Sequence, residues 1–147
     1  ADRGILATDL HSDGSHRDIL YVDGGVSTTG TAGQVRMVGN QVFRHAVEKL
    51  AETSHAALDK AGLTAADVDW IVPHQANQRI IAATAQRMQV PMERVVVTVQ
   101  DHGNTSAASI PLALSGGRER GQIKNGDLIV TGPTRTNVND FRAILIS

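Results

Sequence analysis

A chain of 147 residues, 41% of them hydrophobic, is long enough to bury one real core and too short for two ordinary ones. Its 14 basic and 15 acidic side chains leave a net charge of -1, so no global field draws it to nucleic acid or to an anionic membrane. It holds no cysteine, which excludes a disulfide, a thiolate metal site and a cysteine nucleophile within these residues.

Ile5 to Leu10 reads as a short strand, Asp13-Gly14 as the turn after it, and Ile19 to Val22 as its return strand. Asp23 to Gly33 is rich in Gly, Ser and Thr without periodicity, and is expected to be a loop. From an N-cap at Asn40, apolar residues recur at three- and four-residue steps through Phe43, Val47, Leu50 and Leu58, which predicts a long amphipathic helix closed by Gly62. Thr64 and Asp67 have the spacing of a capping box.

Trp70 to Val72 reads as a strand ended by Pro73, followed by a turn, His74 to Asn77, and a helix marked by Ile80, Ile81, Ala85 and Met88. Val95 to Val99 is a β-branched run that fits a strand covered on both faces, with Asp101 to Thr105 as its loop. Ser106 to Leu114 is expected to be helical, with Pro111 near its first turn and Gly116 and Gly117 weakening its end. Leu128 to Thr131 and Phe141 to Ile146 are the last strands, joined by the polar stretch Gly132 to Asp140. The strand-helix alternation predicts an α/β fold with a mixed, mainly parallel sheet in a single domain spanning 1–147. With no run near the roughly 18 apolar residues of a membrane span, and no basic-then-apolar start, the chain is expected in the cytosol.

Two turns follow strands and precede helices, at the carboxyl edge where open α/β sheets bind ligands. His74 lies in one and Asn104 in the other. If their strands are neighbours, an imidazole N–H and an amide N–H can meet one oxygen, which is the chemistry of an oxyanion hole. Taken singly, His74 also reads as a loop histidine and Asn104 as an N-cap.

The stretch Trp70-Ile-Val-Pro-His-Gln-Ala-Asn-Gln-Arg-Ile-Ile and the stretch Val95-Val-Val-Thr-Val-Gln-Asp-His-Gly-Asn-Thr-Ser-Ala-Ala-Ser-Ile-Pro resemble the two signature segments of β-ketoacyl-acyl carrier protein synthase III. Met37-Val-Gly-Asn-Gln-Val-Phe43 and Ile123-Lys-Asn-Gly-Asp-Leu-Ile-Val130 are similar to two further family segments. The resemblance implies a thiolase-like fold of two similar halves, of which this chain is the carboxyl-terminal one, starting after the family's cysteine. It implies an acyltransferase of fatty acid biosynthesis that condenses an acyl-coenzyme A primer with malonyl-acyl carrier protein. His74 and Asn104 would then bind the malonyl thioester oxygen and stabilise the enolate formed as carbon dioxide leaves.

The resemblance also places Gly39, Phe43, Ala76 and Asn77 along the coenzyme A and pantetheine channel, and makes Arg79 the contact for acyl carrier protein. No permanently bound cofactor or metal is implied. The same residues have plainer readings as a helix-start glycine, a core aromatic, a helix alanine, an N-cap and a solvated arginine. Where the family has a glycine-rich loop near the thioester, this chain has Gly132-Pro-Thr-Arg-Thr-Asn-Val-Asn-Asp140, whose Pro133 and Arg135 do not permit the same close backbone approach. One half of such a fold should leave an apolar face uncovered, so self-association is expected.

Three other readings compete. The chain is a non-catalytic thioester-binding or assembly module; or Ser106, His74 and Asp101 form a hydrolase triad, although no nucleophile-elbow pattern surrounds Ser106; or His74, His102 and Asp101 hold a metal.

Overall fold

The computed structural model describes residues 4–132 and 140–146. In chain order its elements are β1 (Ile5–Ser12), β2 (Leu20–Val22), β3 (Val35–Met37), α1 (Gly39–Ala61), β4 (Trp70–Pro73), α2 (Gln78–Arg87), α3 (Val99–His102), α4 (Ser109–Glu119), β5 (Ile129–Gly132) and β6 (Asp140–Ile146). Short 3-10 turns connect several of them.

Side-chain alternation along β4 and β5 sets the layers. The two strands pair in parallel, Ile71 opposite Val130 and Val72 opposite Thr131. Because successive residues of a strand face opposite sides, Ile71 and Val130 enter one apolar cluster while Val72 and Ile129 enter another. Ala51 and Leu58 of α1, with Ile81 and Ala85 of α2, complete the first cluster. Ile110 and Ala113 of α4 complete the second, joined by Ile123 and Val96. Helices therefore cover both faces of a sheet ordered β1-β6-β5-β4, in which β6 runs antiparallel to β5 and β1 antiparallel to β6.

Three of the four local signals for helix ends act where they were expected. Gly62 has φ 70°, the left-handed geometry that suits glycine, and its N–H reaches the carbonyls of Leu58 and Asp59. Thr64 and Asp67 make the reciprocal capping box. Asn77 caps α2 by accepting the Ile80 N–H at 2.9 Å. Asn40 does not cap α1: the helix opens one residue earlier, and Asn40 Oδ1 takes the N–H of Gln41.

Three expectations are corrected. β2 is not the return strand of β1; it pairs with β3, while β1 finds its partner in β6, at the far end of the chain. Val95 to Val99 does not form a strand ladder: only an isolated parallel bridge joins Ile71 and Val95, and α3 begins at Val99. Gly116 and Gly117 do not end α4, which runs to Glu119. Gly117 is buried, and a Cβ there would come within 2.8 Å of Ile123 Cδ1, so a larger residue would need that side chain to shift.

Candidate active site

The site begins with a single buried amide. Gln75, 1% exposed, lies just past the end of β4. Its Nε2 donates to the carbonyls of Pro73 at 2.9 Å and Val96 at 3.1 Å, and its Oε1 accepts the N–H of Thr98 at 2.8 Å. Backbone groups removed from water need partners, and here a side chain supplies them. This is why the Val95 run makes no ladder beyond Val96 N–H to the Ile71 carbonyl. The consequence is that the turn bearing His74 and the segment leading to Asn104 are fastened side by side.

His74 sits at the sheet's carboxyl edge, its N–H donating to the Gly132 carbonyl at 2.9 Å. The ring is partly buried, and its Nδ1 lies 2.5 Å from the hydroxyl of Ser109 in the first turn of α4. Burial holds the imidazole below its ordinary pKa of 6.5, because a cation loses hydration there. At neutral pH His74 is therefore an uncharged ring that can offer one N–H and one lone pair.

Asn104 is exposed, on the turn between α3 and α4. Its Oδ1 accepts the Ser106 N–H at 3.2 Å. That backbone group can only donate, which identifies the accepting atom as the carboxamide oxygen and leaves the donor hydrogens on Nδ2. The turn adopts unusual backbone geometry: Gly103 has φ 66° and ψ -163°, a region open to glycine, and Ser106 has φ 52°. Arg120 braces the turn by donating to the Val97 carbonyl at 3.0 Å and pairing with Asp101.

The other candidate residues gather on the α1–α2 side. The Arg79 guanidinium lies 5.5 Å from the centre of the Phe43 ring, within cation–π range. Asn77 is two residues away, Ala76 is half-buried beside Gln75, and Gly39 is one turn before Phe43. A Cβ on Gly39 would meet only Met37 Cε at 3.9 Å, so nothing within the described chain demands glycine there. The stretch Pro133 to Asn139 lies outside the described residues.

The hydrolase triad does not assemble. The serine at His74 is Ser109, not Ser106, and the Asp101 carboxylate is taken by Arg120 and Gln100. Among the described residues, no group of three His, Cys, Asp or Glu comes together as a metal site would require. His102 is exposed; His11 pairs with Asp9, and His16 stacks against His45 at 4.0 Å. Sequence reasoning missed Gln75 and Ser109. The available signal was a polar side chain in an apolar or alanine-rich run, Gln75 beside a buried strand and Ser109 at a helix start.

Solved structures place the arrangement in the thiolase-like class of α/β proteins. That of 3-oxoacyl-(acyl-carrier-protein) synthase III from Aquifex aeolicus matches with a TM-score of 0.88 at 37% identity, over 99% of this chain and 45% of that one. The family model described as 3-oxoacyl-(acyl-carrier-protein) synthase III C terminal matches residues 58–132, and this chain belongs to that family. The β-ketoacyl-(acyl-carrier-protein) synthase III of Cereibacter sphaeroides is 80% identical over 131 residues, and that of Rhodobacter capsulatus 79%. Both matches cover 89% of this chain and 40% of the relative, so the chain spans under half the length of these relatives.

Proposed function

We propose that this chain is the carboxyl-terminal half of an enzyme that starts fatty acid synthesis, condensing an acyl-coenzyme A primer with malonyl-acyl carrier protein. The observation that carries the reading is the Gln75 bracket, which fastens the turn of a neutral His74 to the segment leading to Asn104. In this reading the malonyl C–C bond breaks, carbon dioxide departs, and the electron pair moves onto the thioester oxygen. His74 Nε2–H and Asn104 Nδ2–H donate to that oxygen and stabilise the enolate. The enolate carbon then attacks an acyl-cysteine supplied by the other half, and the cysteine thiolate leaves.

Gly39, Phe43, Ala76 and Asn77 would line the path of the coenzyme A or pantetheine arm, and Arg79 would meet the acidic carrier protein. Ile5, Leu10, Tyr21, Val22, Val26, Val35 and Met37 are large apolar residues more than 40% exposed. Exposed apolar side chains in this number suit burial against another half or another copy. The cytosol is the compartment that fits this chemistry.

The test is release of carbon dioxide from a malonyl thioester by the intact protein. The His74→Ala, Asn104→Ala double variant is expected to lose at least about 100-fold in rate. A double variant as fast as the parent would overturn the reading and favour a module that binds thioesters without acting on them.

A further inference from the structure

We infer that Ser109 is a positioning residue whose hydroxyl donates to His74 Nδ1 and so holds the imidazole in the tautomer with its proton on Nε2. The inference deepens the proposed reaction and rests on it for its kinetic consequence only; the tautomer itself needs no substrate.

Hydrogen counting leads to it. Ser109 is 1% exposed, so bulk water does not serve its hydroxyl. Its oxygen is approached by the Gln75 N–H at 3.3 Å and by His74 Nδ1 at 2.5 Å. A backbone N–H can only donate, so Gln75 occupies a lone pair and leaves the single hydroxyl proton to be placed. Among the described residues, His74 Nδ1 is the one remaining partner of that oxygen. With the proton on Nδ1 instead, two hydrogens would compete for the short contact or the serine proton would be buried without an acceptor, which is costly.

The neutral state of the ring agrees with this. Burial disfavours the imidazolium, and a cation would carry a proton on both nitrogens, against the serine donor. A ring fixed with Nδ1 as acceptor presents Nε2–H on its opposite edge, the group an oxyanion needs. Ser109 is too buried to touch substrate and so acts through His74. Gln75 links the parts: its N–H orients the serine while its side chain ties the His74 turn to the segment that leads to Asn104.

The experiment is nitrogen NMR of the intact protein labelled with 15N-histidine, near neutral pH. The wild type is expected to show His74 Nδ1 as an unprotonated nitrogen and Nε2 as a protonated one. Ser109→Ala is expected to populate the Nδ1–H form, and Ser109→Thr, which keeps the hydroxyl, to restore the parent spectrum. Malonyl decarboxylation by Ser109→Ala should fall roughly tenfold in kcat with KM little changed, because the wrong tautomer withholds the donor. A wild-type His74 protonated on Nδ1 would overturn the inference, and that result needs no variant to fold. So would a Ser109→Ala spectrum identical to the parent. If the tautomer shifts as expected while His74→Ala leaves decarboxylation intact, the inference about Ser109 stands and the proposed reaction falls.

Discussion

Residues 50–132 and residues 4–49 are built on different principles. Within residues 4–132, every buried apolar side chain lies in the first region, from Leu50 to Val130. The second region holds one buried residue, and it is a carboxylate: Asp9, 6% exposed on β1, bonded to Lys60 of α1 and to His11. The first region holds the core; the second sends Leu6 onto that core but leaves Ile5, Leu10, Val26, Val35 and Met37 exposed. His74 and Asn104 both belong to the first region, His74 held by its Gly132 and Ser109 contacts and Asn104 on the turn that Arg120 braces, while Gly39 and Phe43 belong to the second. A site that must aim two donors at one atom needs the rigid part of the chain.

The contrast can be broken by substitution. Leu58→Ala, in the heart of the first cluster, is expected to destabilise the intact protein by about 4 kcal/mol in denaturant unfolding, whereas Val26→Ala, at a side chain 88% exposed, should stay within about 0.5 kcal/mol. Equal losses would mean that the second region is as tightly packed as the first. Gln75→Leu keeps the volume but strands the Thr98 N–H and the Val96 carbonyl, and should cost about 3 kcal/mol.

Acid sharpens the comparison, because the most buried of the displaced titrations in each region, His74 and Asp9, respond to it differently. For His74, burial lowers the pKa, so the unfolded chain binds the proton more readily; stability is level above the ordinary value of 6.5 and declines as pH falls towards the lowered one. Decarboxylation should hold level as pH drops through 6.5 and decline below it, as measured in a pH–rate profile. For Asp9, burial raises the pKa, but the Lys60 and His11 hydrogen bonds outweigh it and hold the carboxyl below 3.8. Its contribution is present above 3.8 and lost as pH falls through the lower folded value. Asp9→Asn should remove that acid-dependent loss from an unfolding series. The smallest effect is at the border: Arg79→Ala removes the cation–π contact with Phe43 and should cost about 0.5 kcal/mol.

Much of this was legible where the determinants are local. Gly62, the Thr64–Asp67 pair and Asn77 each act on residues within one turn of themselves, and each marks a real helix end. Legibility failed where a distant residue decides. The β1 partner lies more than 120 positions away, so proximity in sequence misassigned it to Leu20–Val22. The Val95 run has the composition of a strand, but the Gln75 side chain takes the hydrogen bonds a strand would have made. For the candidate site, the turns that carry His74 and Asn104 were readable as segment ends, whereas the Ser109 contact spans 35 positions and left no mark beyond one serine in an alanine-rich stretch.

The central claim is that one imidazole and one carboxamide address a single oxygen. A crystal structure of the intact protein with a malonyl thioester analogue that cannot lose carbon dioxide tests it most directly. The account predicts His74 Nε2 and Asn104 Nδ2 both within about 3.2 Å of the same thioester oxygen. Two donors on different atoms, or an Asn104 amide turned away from the thioester, would contradict it.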